Sequence, residues 1–208
     1  REAAALLKES WPLWVGGAAV AGAYRLDVVL MKSLLGDKEA LEAIGYYAPA
    51  YGLAESGNFI LGAFVTTAFP VFSSLRAAPA SRLRAAARRA LAAGLVAGGA
   101  AAAFAVLAGG WVIRLLYGES FSPSVRALFL ISPVLVLVTL NSLLGSLLTA
   151  VGRQVTYLKI TLALLAFNAA ANLLVIPAHS YLGAAAVKSL TEALSLCLLM
   201  WSSRSLIR

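Results

Sequence analysis

The chain has 208 residues, 61% of them hydrophobic and only 12% charged, with a mean hydropathy of +0.86. A soluble domain carries about 25% charged residues, so this inventory cannot clothe a water-facing surface and excludes an ordinary globular domain. The net charge of +8 does not point to nucleic acid, because the Lys and Arg residues fall mostly between apolar runs, where they set topology and meet anionic headgroups.

Apolar runs of about 20 residues recur along the whole chain, each long enough to cross ~30 Å of hydrocarbon. The first predicted span covers 11–35, entered through Lys8, Glu9 and the interfacial pair Trp11 and Trp14, and a short polar stretch over 36–42 follows it. The second runs over 46–75. An Ala/Arg segment comes next, with Arg76, Arg82, Arg84, Arg88 and Arg89, and with Pro79 and Ser81 to break or cap a helix. The third span, 90–117, is rich in Ala and Gly, and its Gly94 and Gly98 permit a close helix approach, within the chain rather than in a dimer. A turn over 118–123 leads to the fourth span, 124–151, and Gly152, Arg153 and Gln154 turn the chain into the fifth, 157–176. Residues 177–181 close that span, and 182–201 is the sixth.

Alternate loops place Arg1, Lys8, the five arginines of 76–89, Arg153, Lys159, Arg204 and Arg208 on one side, and Lys38, Arg114 and Arg126 on the other. The positive-inside rule makes the first group cytoplasmic, with both ends of the segment inside and short outer loops at 36–45, 118–124 and 177–181. The chain begins at Arg1, and its first apolar run leads into further spans without a small-residue cleavage site. No signal peptide is expected, and the segment reads as a piece of a longer protein.

A charge at mid-bilayer costs ~2.5–3.5 kcal/mol on insertion scales, so intramembrane ionisable residues mark cavities or pairs. Arg25 and Lys32 lie seven residues apart and, at about 100° per residue, share a face, while Asp27 points elsewhere. They form a basic stripe suited to a phosphate-bearing ligand; alternatively Asp27 or Glu55 neutralises Arg25 and Lys32 snorkels to the outer interface. Glu55 and Asn58, with Tyr51 one turn earlier, give the second span a polar face at the depth of Arg25. Asn168 and Asn172 on the fifth span, and Lys188 and Glu192 on the sixth, are each spaced to share one helix face. Interhelical hydrogen bonding suits the asparagines and Asn141; for Lys188 and Glu192 an internal ion pair and a role in substrate or ion passage stand side by side.

Cys197 and His179 are the sole residues of their kinds, which excludes a disulfide framework, a zinc ligand set and a Cys/His nucleophile pair within this chain. No Gly-rich phosphate loop, hydrolase-spaced carboxylate pair or Ser/His/Asp set is present, so no enzyme, cofactor or metal is expected. A membrane-embedded transferase would need its acidic residues among Asp37, Glu39, Glu42 and Glu119, on the predicted outer side.

Several short stretches stand in a recognisable order: Asp27 in an apolar span, Gly45-Tyr46-Tyr47, Phe69-Pro70-Val71-Phe72-Ser73 before a basic loop, and Leu116-Tyr117-Gly118-Glu119 with Phe121. Ala150-Val151-Gly152-Arg153, Asn172 with Ile176-Pro177, and Gly183-Ala184-Ala185-Ala186 with Thr191-Glu192 complete the set. In this the chain resembles the polysaccharide-biosynthesis flippases of the multidrug/oligosaccharidyl-lipid/polysaccharide (MOP) superfamily, over nearly its whole length. The resemblance implies an all-α polytopic membrane protein of about six helices, residues 1–208 forming the second lobe of a two-lobed transporter, whose first lobe is its partner. It implies translocation of an undecaprenyl-pyrophosphate-linked oligosaccharide from the cytoplasmic to the outer leaflet of a bacterial or archaeal inner membrane, with H+ or Na+ as a possible coupling ion. Arg25 best matches a basic cavity residue of that family. A lipid II flippase, a cation-coupled multidrug antiporter using Asp27, Glu55 and Glu192, and a non-transporting assembly subunit are the competing readings.

Overall fold

The computed structural model describes residues 2–207, without the side chains of 2–10, 12, 13, 19–21, 23 and 24. The expected interfacial roles of Lys8 and Glu9, and the charges of Arg1 and Arg208, lie outside the described residues. The elements are α1 (Glu2–Leu34), α2 (Asp37–Thr66), α3 (Ala68–Ser74), α4 (Ala80–Tyr117), a 3-10 turn (Glu119–Phe121), α5 (Ser124–Ile131), α6 (Pro133–Ala150) and α7 (Gln154–Ile207). No strand occurs among the described residues.

Prolines set the internal breaks. Pro70 has no N–H to give and its ring crowds the carbonyl four residues earlier, so the helix breaks at Thr67 and divides α2 from α3. Pro133 does the same between α5 and α6, and there the hydroxyl of Ser132 donates to the carbonyl of Phe129, 3.0 Å away, which the proline leaves without its helical partner. Gly118 and Gly152 hold φ of 91° and 82°, backbone that an L side chain rarely adopts, and both stand at reversals of the chain.

α7 is a helical hairpin. Ser180, three residues after Pro177, has φ 50° and ψ −138°, the one non-helical residue in a 54-residue segment. Asn168 and Thr191 would lie about 35 Å apart along a straight helix, yet their side chains hydrogen-bond at 2.9 Å. The arms meet at Gly183, where an added Cβ would fall 2.7 Å from Val175 Cγ1 and 3.1 Å from its carbonyl oxygen.

Among the described residues, four segments are long and apolar enough to cross a membrane, Asp37–Ser74, Ala80–Tyr117, Ser124–Ala150 and Gln154–Ile207. The fifth and sixth predicted spans are the two arms of one helical segment, and the first falls on α1, only part of which is described. Helix also reaches beyond the expected loops. α2 begins at Asp37, directly after extended Gly36, so most of the outer loop expected over 36–45 is helical; α4 begins at Ala80, with Pro79 rather than Ser81 at its cap.

α6 is the central helix, burying Leu143, Leu144, Leu147 and Leu148 among its neighbours. Gly94 and Gly98 let α4 approach it: a Cβ on Gly98 would stand 2.8 Å from Val136 Cα and 3.1 Å from Leu135 O. The small-residue pair therefore serves internal packing, as expected.

The two ends of the bundle differ in charge. Arg76, Arg82, Arg84, Arg88, Arg89, Arg153 and Arg204 gather where α3 gives way to α4, α6 to α7, and α7 ends. Arg88 and Arg153 donate to the carbonyls of Ile207 (2.7 Å) and Ser202 (3.3 Å), capping the C-terminus of α7. The opposite end mixes signs, with Lys32, Lys38, Arg114 and Arg126 among Asp37, Glu39, Glu42 and Glu119; Arg114 and Glu119 pair there at 3.6 Å.

Candidate functional site

Two polar groups occupy the apolar bundle. The first joins α1 to α2. Arg25 pairs with Glu55 at 3.6 Å, with 66% and 43% of their side chains exposed. Glu55 stands about 27 Å of helix from Asp37 and about 28 Å from Ser74, the middle of that apolar segment. The pair thus lies midway along that segment and on an outer surface of the bundle.

Asp27, two residues on, turns inward and is only 3% exposed. Its carboxylate accepts from the hydroxyl of Tyr47 at 2.5 Å and from the backbone N–H of Val28 at 2.9 Å. Its partner is therefore a tyrosine of α2. Tyr51, one turn beyond Tyr47, stacks against it with ring centroids 5.5 Å apart. Two cations flank Tyr51: the Arg25 guanidinium 5.5 Å and the Lys188 ammonium 5.9 Å from its ring centroid. Lys32 stands exposed in the last turn of α1.

The second group lies between α6 and the two arms of α7, around a cavity of about 190 Å³. Its wall includes Asn141 and Ser142 from α6, Tyr157, Thr161 and Asn168 from the first arm, and Lys188, Thr191, Glu192 and Ser195 from the second. The Asn141 amide donates to the Glu192 carboxylate at 2.8 Å and to the Glu192 carbonyl at 3.0 Å. Asn172 donates to Asn168 Oδ1 at 3.0 Å, and Asn168 donates to Thr191, whose hydroxyl donates in turn to the Val187 carbonyl at 2.8 Å. The two asparagines thus share a face and bond to each other and across the hairpin. Among the described residues, the side-chain oxygens of Asn58, Asn141 and Asn172 are buried without a hydrogen-bond partner.

Lys188 belongs to both groups. It is 9% exposed, and it lines the large cavity together with a small pocket of about 10 Å³ shared with Tyr51, Glu55 and Asn58, room for about one water. The structure thus brings Arg25, Glu55, Asn58 and Lys188 around Tyr51, and Lys188, Glu192, Asn168 and Asn172 around the cavity between α6 and the hairpin. Thr191, Tyr47 and the central role of Tyr51 escape a reading by helix spacing alone, since each depends on which helix packs opposite.

No protein-family model matches the chain, and no curated protein matches it in sequence. One solved structure matches its fold, a MOP superfamily transporter from Pyrococcus furiosus, with a TM-score of 0.74 at 15% sequence identity. The match covers 95% of this chain and 44% of that one, so the chain spans less than half the transporter's length. The protein thus has the fold of part of a MOP superfamily transporter.

Proposed function

We propose that the chain is one lobe, the second, of a flippase that carries an undecaprenyl-pyrophosphate-linked oligosaccharide from the cytoplasmic to the outer leaflet by alternating access. The exposed Arg25–Glu55 pair carries the reading. At mid-depth a charge facing lipid tails costs ~2.5–3.5 kcal/mol, so a surface bearing two of them is one that another lobe and a water-filled cavity cover. Rocking of two lobes about such a cavity exposes its contents to each side in turn.

The chemistry suits a pyrophosphate. A guanidinium takes phosphate oxygens through two parallel N–H donors, and at about 4 Å in surroundings of intermediate polarity the attraction is about 4 kcal/mol, against ~1 kcal/mol in water. Glu55 holds the Arg25 fork in place when no anion is bound, and Lys188 supplies a second positive charge behind Tyr51. Glu192, whose carboxylate lines the cavity, favours a second reading on the same fold: a cation-coupled antiporter, with H+ or Na+ at that carboxylate.

Complementation of a flippase-deficient strain by the full-length parent carrying Arg25→Ala or Arg25→Lys, with membrane abundance measured in parallel, tests the role of Arg25. Lost glycan export at normal abundance in Arg25→Ala is expected, with partial export in Arg25→Lys. Unchanged export removes Arg25 from the substrate path, and lost abundance assigns it to structure.

A further inference from the structure

The arginine end of the bundle holds a groove that lies apart from Arg25 and Lys188. α4 has 38 residues, about 57 Å of helix, nearly twice the ~30 Å of a hydrocarbon core. Counting about 20 residues back from Arg114, at the opposite interface, places the core boundary near Gly94. Arg88 and Arg89, about 8–9 Å beyond it, therefore stand in the headgroup layer, and Arg84, about 15 Å beyond, stands on its aqueous edge. With Ser81 they line an open groove of about 390 Å³, in which the Nε–H donation of Arg88 to Ile207 O fixes one guanidinium beside the end of α7. No carboxylate occurs between Glu55 and Glu119, so nothing on this helix neutralises the groove.

Directly below, the same helix turns apolar and bare. At about 100° per residue Leu95 falls under Arg84 and Arg88, and Val96 and Leu107 under Arg89. These three side chains are 54%, 73% and 85% exposed. A positively charged groove above an uncovered apolar strip has the two-part shape of an amphiphile, and a soluble anion would use half of it.

We propose that this groove is a binding site for the headgroup phosphate of an anionic glycerophospholipid, with an acyl chain lying along Leu95, Val96 and Leu107. The site is independent of the transport reading. It ties the position of α4 and the end of α7 to the lipid composition of that leaflet.

The test is native mass spectrometry of the detergent-solubilised full-length protein equilibrated with phosphatidylglycerol or phosphatidylcholine of equal chain length, alongside its melting temperature in each. Phosphatidylglycerol should be retained preferentially and raise the melting temperature. Arg84→Gln/Arg89→Gln should lower its retention at least about tenfold, since each arginine near a charged headgroup contributes about fivefold. Arg84→Lys/Arg89→Lys should keep most of the retention, and Arg126→Gln at the other end should keep all of it. Equal retention and equal melting in the two lipids overturns the proposal. So does unchanged retention in Arg84→Gln/Arg89→Gln, and so does full displacement of the lipid by millimolar inorganic phosphate, which would make this a site for a soluble anion.

Discussion

Tyr47 donates a hydrogen bond to Asp27, whose carboxylate is buried, 3% exposed, between α1 and α2. Tyr47→Phe strips that bond while keeping the ring that packs on Tyr51. The full-length protein should lose about 1–3 kcal/mol, read as a lower melting temperature in detergent, the cost of a buried polar group left unsatisfied. Arg25 lies two residues away on the exposed side, so its replacement should act on flux and leave melting nearly unchanged. Much of this was legible in the sequence. Ionisable residues in apolar spans are expensive, and the spacing of Arg25 and Asp27 put them on different faces. The identity of each partner was not legible, because Tyr47 and Glu55 become neighbours of α1 through the packing of α2. Thr191 likewise meets Asn168 only because the chain folds back at Ser180.

At the scale of elements, Gly98 is the contact on which the approach of α4 to α6 depends. A methyl group there meets the backbone of Val136 and Leu135, which cannot rotate away. Gly98→Ala should cost about 1–3 kcal/mol by forcing the two helices apart. Gly99→Ala, with nothing within 4 Å of its Cβ, should be neutral or stabilise the helix by up to about 1 kcal/mol. The difference in melting temperature between the two variants checks the packing directly. Apolar length located most helices, but it misplaced their ends, since α2 and α4 run on into charged sequence that the headgroup layer tolerates. Pro133 lay in the middle of the fourth predicted span and divides it into α5 and α6. Pro177 was expected to close a span, and one residue, Ser180, suffices to fold the helix back on itself.

Across the whole molecule, charge is segregated by end, and the topology proposed from the positive-inside rule puts the arginine end in the cytoplasm. In a background without other cysteines, Arg84→Cys should react with an impermeant thiol reagent from the cytoplasmic side and Glu42→Cys from the outer side; the reverse pattern would invert the proposed topology. The segment's fold matches 44% of a solved transporter, and on the function proposed here its exposed Arg25–Glu55 pair faces a second lobe across a cavity. The most direct test of that account is transport by the full-length protein in reconstituted vesicles, comparing a fluorescent lipid-pyrophosphate oligosaccharide with a cationic drug. The account predicts that the pyrophosphate lipid changes leaflet and that Arg25→Ala slows it about 10- to 100-fold, the loss of one charge-assisted hydrogen-bonded contact. Movement of the cationic drug instead, or an undiminished rate in Arg25→Ala, would contradict it.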